Sequence, residues 1–323
     1  MTPPRHFYLK KTAALARAQG IPVYGLQWSL WAPENWWGYK YTLQLGNPRA
    51  YPAICKQLLL GLHSQALAFI SRVFDSLSIG PVLSLPEWNV DTLGVIDRNA
   101  EKVFQAHGAS NIAIVGSVET EAVRELHTQL TSDEIRRRAL YTKYDIDQSK
   151  KVVLIITMTF NQFSTTTYCM DSAGQIAYFR RIAELIRQRY SAQTHELVLK
   201  IHPREKNIYQ SLTEEFGVQV FGKEARLEEL VAITAVAVTH PLTSANFVIT
   251  AAQIPAIAIN FSPLHFLDQC GKYYGFKSVT TSEQTFLAQL DELDNGTLPL
   301  LYDPGLIVDE FTEKFRIFLH GKS

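Results

Sequence analysis

What the sequence lacks narrows its function first. It has no net charge: 31 Lys and Arg side chains balance 31 Asp and Glu over 323 residues. Without a positive field to attract a polyanion, no nucleic-acid partner is expected. Only three cysteines occur, Cys55, Cys169 and Cys270, too scattered for a disulfide framework or a structural zinc site. They fit a reducing compartment, so the cytoplasm is the expected address. No uninterrupted apolar run reaches the roughly 18 residues of a bilayer span, and the polar, basic residues 1–11 carry no signal peptide. The nearest approach, residues 51–77, is broken by Lys56, His63, Gln65, Arg72 and Asp75 and reads as a mostly buried helix, with a membrane or partner surface as the lesser alternative. The nine histidines show no pairing with acidic residues at ligand spacing, and no metal is expected. Internal repeats and low-complexity stretches are absent.

What is present is an alternation of apolar strands and amphipathic helices. The spacing predicts strands over 21–27, 90–96, 111–117, 151–157, 196–201, 218–221, 235–239 and 256–260. Helices are predicted over 6–19, 98–107, 131–144, 175–190, 208–215, 227–233, 246–253, 282–293 and 308–320, with Asp97 as an N-cap. Apolar strands separated by helices of this length imply right-handed parallel crossovers and an α/β fold. Chain length favours two domains. The division reads as an N-terminal α/β domain over 1–117, a linker over 118–150, a second Rossmann-like domain over 151–300 and a terminal helix packing back over 301–323. Four of the five tryptophans fall between Trp28 and Trp37. Such rings either close a core or offer a stacking platform to a sugar or base.

The stretch from 197 to 261 is the most informative. Two apolar runs each end in a His-Pro pair, Leu197-Val198-Leu199-Lys200-Ile201-His202-Pro203-Arg204-Glu205 and Ala235-Val236-Ala237-Val238-Thr239-His240-Pro241-Leu242-Thr243-Ser244. Each run has the length and β-branched content of a strand buried on both faces, so each pair sits at a carboxyl end, where open α/β sheets bind ligands. Imidazole, ammonium, guanidinium and hydroxyl donors converging there suit a phosphate or diphosphate. The candidate binding residues are Thr157, Thr159, Lys200, Arg204, Glu205, Thr239, His240, Thr243 and Ser244. Several have a plainer alternative: His202 and His240 as structural histidines, Lys200 turned away from the crevice, Arg204 with Glu205 as a surface ion pair, Thr157 and Thr159 as ordinary strand residues.

Lys200-Ile201-His202-Pro203, the later His240-Pro241 with Thr243-Ser244, and Ala251-Ala252-Gln253-Ile254-Pro255-Ala256-Ile257 resemble the nucleotide-binding half of GT-B glycosyltransferases. The nearest flavour is that of bacterial sialyltransferases, polysialyltransferases and Kdo and capsule-polysaccharide transferases. That resemblance implies two Rossmann-like domains, with the N-terminal one short or incomplete. It implies a nucleotide-sugar donor, CMP-linked acidic sugars included, with no separate cofactor, and a glycan or glycolipid acceptor at the inner face of the membrane. Carried over by position, it assigns His202 to the departing phosphate and Ser244 with Thr243 to phosphate hydrogen bonds. The acidic motif that supplies the base in the sialyltransferases has no counterpart here, which makes Glu34 the first candidate for catalysis and Glu87 the second. Two readings compete with transfer: a sugar-nucleotide epimerase and an inactive scaffold of polysaccharide assembly.

Overall fold

In β4 (Lys151–Ile156) five of six side chains are buried, and alternate positions serve different cores, as a strand's period of two requires. Val153 and Ile155 join the cluster built on Phe179, Ile182 and Ile186. Val152, Leu154 and Ile156 join the one built on Leu230, Val231 and Val248. Both faces are therefore apolar and both must be covered, which selects a parallel sheet sandwiched by helices. The computed structural model describes residues 15–27, 90–106, 109–158, 172–203, 205–241, 243–261, 271, 274–277 and 279–320. Glu34, Glu87, Thr159, Arg204, the tryptophan cluster at 28–37, the 51–77 segment and the three cysteines lie outside them.

Two parallel sheets organise the chain. β1 (Tyr24–Leu26), β2 (Thr92–Val95) and β3 (Ile112–Ile114) pair in that order, with Gly25 opposite Leu93 and Gly94 opposite Ala113. Helix α1 (Arg98–Ala106) lies between β2 and β3, and Asp97 caps it by accepting a hydrogen bond from Ala100 N at 2.7 Å. Beyond β3 come α2 (Val118–Ser132) and α3 (Glu134–Lys143), the latter capped by Asp133 accepting from Arg136 N. The helix expected over 131–144 is α3, while α2 lies wholly within the stretch read as linker and was not expected.

The second sheet contains β4, β5 (His195–Lys200), β6 (Val218–Phe221), β7 (Val236–Thr239), β8 (Ala256–Ile259) and β9 (Val279–Thr280) in the order β6-β5-β4-β7-β8-β9, all parallel. Its helices are α4 (Ser172–Arg189), α5 (Gln210–Phe216), α6 (Leu227–Ala232), α7 (Ala245–Ala251) and α8 (Glu283–Asp294). One face carries α4 against α5 and α8; on the other, α2 packs on α6 and α7. Gly217, at φ +64°, ends α5 in the left-handed conformation that spares glycine a Cβ clash. The strand order reverses between β4 and β7, the switch point at which doubly wound sheets open a crevice. The two His-Pro pairs do not sit on neighbouring strands: β4 lies between β5 and β7, because the chain winds outward through β5 and β6 before crossing back.

The last helix, α9 (Phe311–His320), returns to the first sheet. Its Phe318 meets Tyr24 edge to face at 5.0 Å between centroids, and its Thr312 hydroxyl donates to Glu121 of α2. Among the described residues no helix is long and apolar enough to cross a membrane.

Candidate functional site

Both His-Pro loops use one local device. Proline has no N–H, so each ladder must stop there. The chain then closes a tight turn on the histidine carbonyl, with Glu205 N donating to His202 O at 2.8 Å and Thr243 N donating to His240 O at 3.2 Å. Each turn projects its loop beyond the carboxyl edge of the sheet.

The first turn rests on a buried polar cluster. The Glu205 carboxyl accepts from the hydroxyls of Thr157 and Tyr209, from the Gln175 amide and, at 3.4 Å, from His202 N. Thr157 Oγ1 in turn accepts from His202 N at 3.0 Å. Burial pushes the Glu205 carboxyl above the usual carboxylate range, and the donors only partly offset it. The surface alternative does not survive for Glu205. It is buried together with Thr157, and both hold the loop that presents half-buried His202.

Lys200 is also buried, and its ammonium donates to the carbonyls of Gly222 at 2.6 Å and Ile201 at 3.3 Å. Burial lowers its pKa, and these carbonyls satisfy the cation. Of the two readings of Lys200, these bonds fit the one turned away from the crevice: an ammonium without solvent takes the nearest acceptors, at the β5–β6 edge.

In the second loop His240 is buried and bonded to Asn260, and burial holds its imidazole down to about 3. It is neutral at physiological pH, which fits the structural alternative for this histidine. Asn246 donates to the His240 carbonyl at 3.0 Å, and Thr243 Oγ1 accepts from Ala245 N, which fixes the turn from β7 into α7. Thr239 is buried beneath this turn, whereas Ser244 is exposed at its tip.

Ser244 faces the other half of the molecule. It lines a cavity of about 110 Å³ whose opposite wall comes from the carboxyl ends of the first sheet: Gln27 after β1, Ile96 after β2, and Ser117 with Glu119 after β3. Leu227, Phe247 and Phe311 complete an apolar lining. The carboxyl ends of both sheets therefore look toward one gap. His202 reaches the same edge of the second sheet two strands away, about 10 Å by the usual strand spacing. Ser117 and Glu119 escaped sequence reading, which ended the strand at Ser117 and gave the next residues to a linker. The usable signal was Gly116-Ser117 followed by an acid, a helix start placed straight after a strand.

Among solved structures, the chain is similar to UDP-GlcNAc 2-epimerase from Neisseria meningitidis bound to UDP-GlcNAc, at 11% identity and a TM-score of 0.53 over 96% of this chain and 72% of that one. The fold is GT-B-like. The wall teichoic acid polymerase TagF matches at 14% identity and a TM-score of 0.48, over 71% of this chain and 57% of that one. UDP-GlcNAc 2-epimerase from Methanocaldococcus jannaschii matches at 15% and 0.46, over 75% and 65%. This chain thus spans less than two thirds of the length of either. No family model and no curated protein matches the sequence. The likenesses are of fold, and they do not single out the sialyltransferases that the motifs resemble.

Proposed function

We propose that the chain is a nucleotide-sugar-dependent glycosyltransferase whose donor lies along the carboxyl edge of the second sheet, with its phosphate between His202 and the Thr243–Ser244 turn. The observation that carries this reading is the placement of Ser244 on the gap between two facing sheets, with His202 at the same edge on a loop clamped from below. In this reading, negative charge growing on the departing phosphate is met by the His202 imidazole, which gives it a proton, and by the Ser244 hydroxyl. Both are held in place before reaction, so little reorganisation is needed. Thr157 and Glu205 act beneath the loop as positioning residues, and Lys200 braces the sheet edge. The nucleotide sugar serves as co-substrate, with no resident cofactor. The acceptor is a glycan or glycolipid at the inner face of the membrane, and the donor a CMP-linked acidic sugar.

Titration of the full chain with CMP, UDP and GDP tests this directly. At least one nucleotide is expected to bind, with an affinity that His202→Ala and Ser244→Ala both reduce. If none binds, or if neither substitution alters binding, the reading fails.

The epimerase alternative draws on the similarity to the Neisseria meningitidis enzyme, which extends over 96% of this chain. Incubation with UDP-GlcNAc alone separates the two. An epimerase yields a new UDP-sugar without acceptor, a transferase releases nucleotide only with one, and nucleotide binding without either product marks an inactive scaffold.

A further inference from the structure

We propose that Glu119 is the general base of the transfer, the carboxylate that removes the acceptor's proton. The inference rests on the transferase reading above. As the acceptor oxygen bonds to the anomeric carbon, the bond from that carbon to the donor phosphate breaks and its electron pair leaves with the phosphate. The hydroxyl proton must then pass to a base on the acceptor side, opposite the leaving group.

Glu119 stands where such a base is needed. Among the described residues lining the cavity between the two sheets it is the one ionisable side chain, and Ser244 lines the same space from the other half of the molecule. At about 110 Å³ the cavity is below the roughly 300–1,000 Å³ of a small-molecule site, so it takes the reacting edge of a sugar and leaves the nucleotide outside along the second sheet. Its walls at Leu26, Leu227, Phe247, Val248 and Phe311 are apolar and offer packing to the faces of a sugar ring while its hydroxyl meets the carboxylate.

The carboxylate is also held in place. Gly116 takes φ +83°, where an added Cβ would come within 3.0 Å of the Val308 carbonyl, and so turns the chain sharply out of β3. Ser117 follows as the extended N-cap of α2; its Oγ donates to Glu119 Oε2 at 2.5 Å and accepts from Glu119 N at 3.3 Å. The first turn of a 15-residue helix favours the anion. One carboxylate oxygen is thus fixed, and the group keeps lone pairs for an acceptor hydroxyl. Other carboxylates near the gap are engaged elsewhere: Asp97 caps α1 and binds the Tyr302 hydroxyl, Glu121 accepts from Thr312, and Glu205 lies under the His202 loop.

The test compares full-length wild type with Glu119→Gln, which keeps the side chain's shape and removes its basicity, and with Glu119→Asp, which keeps the charge at the helix N-terminus if the amide disturbs folding. Affinity for CMP and UDP is measured by calorimetry, and turnover by nucleotide released with whichever donor and acceptor pair the wild type uses. Glu119→Gln is expected to keep nucleotide affinity within about twofold while turnover falls about 10²–10⁴-fold, the usual share of acid–base catalysis. Glu119→Asp is expected to recover part of that loss. Turnover of Glu119→Gln within about threefold of wild type overturns the proposal, as does an equal fall in affinity and turnover, which marks a binding role instead. A wild type that binds no nucleotide removes the transferase reading and Glu119's role with it, whereas the first two results remove only the latter.

Discussion

Glu205 lends itself to a quantitative test because four donors converge on its two oxygens in a buried site. In Glu205→Leu the Gln175 amide keeps its bond to the Tyr209 hydroxyl at 2.6 Å, and His202 N keeps the Thr157 oxygen at 3.0 Å. The hydroxyl protons of Thr157 and Tyr209 lose their acceptor. A buried group left unpaired costs about 1–3 kcal/mol, and relief of the carboxyl's own desolvation offsets part of this, so a net loss of about 3 kcal/mol is expected. At roughly 2–4 °C per kcal/mol for a unit of 150–250 residues, the melting temperature falls about 6–12 °C. Glu205→Gln is milder, about 1 kcal/mol, because Gln175 can turn its own amide oxygen, which has no hydrogen-bond partner among the described residues, toward the new NH₂. The pH dependence has a definite sign. Burial raises the folded pKa above the ordinary 4.5, so the folded state binds the extra proton. The stability this contributes is complete below 4.5 and declines as pH rises through the folded value. Both variants lack it, so their deficit is larger at pH 5 than at pH 8. Scanning calorimetry at the two pH values reads the difference. A Glu205→Leu melt within about 2 °C of wild type, or a deficit that grows with pH, would refute this account of the loop.

Further outcomes follow from the same geometry. His202→Ala is expected to lower turnover about 10²-fold or more, while Ser244→Ala weakens nucleotide binding about tenfold, both read by calorimetry and product release. His240 has its folded pKa depressed to about 3, so the folded state resists a proton that the unfolded chain takes up below 6.5. Its contribution is full above 6.5 and lost on acidification at up to about 1.4 kcal/mol per pH unit; a His240→Gln chain should show a flatter acid limb in urea titrations between pH 4 and 6.5. Asp97→Ala removes the α1 cap and strands the buried Tyr302 hydroxyl, and denaturant melts are expected to show a loss of about 2–4 kcal/mol.

The second sheet was legible because its strands are apolar on both faces: 218–221 was read to the residue, and β4, β5, β7 and β8 to within one at either end. β9 escaped because two residues carry no periodicity, and α2 because its hydrophobic positions are sparse and its start hides in Gly116-Ser117. Strand order was not legible at all. It depends on where crossovers land, so β4's place between the two His-Pro strands could not be read from spacing. The site was half legible for the same reason: His202 and Ser244 announce themselves by motif, but whether Lys200, Glu205 and His240 meet solvent or protein is decided by neighbours distant in sequence, among them Gly222, Gln175 and Asn260.

The strap formed by residues 301–320 has a kinetic consequence. Phe318 packs on the sheet begun by Tyr24, Asp97 bridges to Ile307, and Arg124 reaches the carbonyls of Pro304 and Ile307. The first sheet therefore stays partly uncovered until residues 301–320 have been made and have docked. Removing residues 311–320 would injure the sheet begun by Tyr24 rather than the second sheet, which the chain leaves just before them.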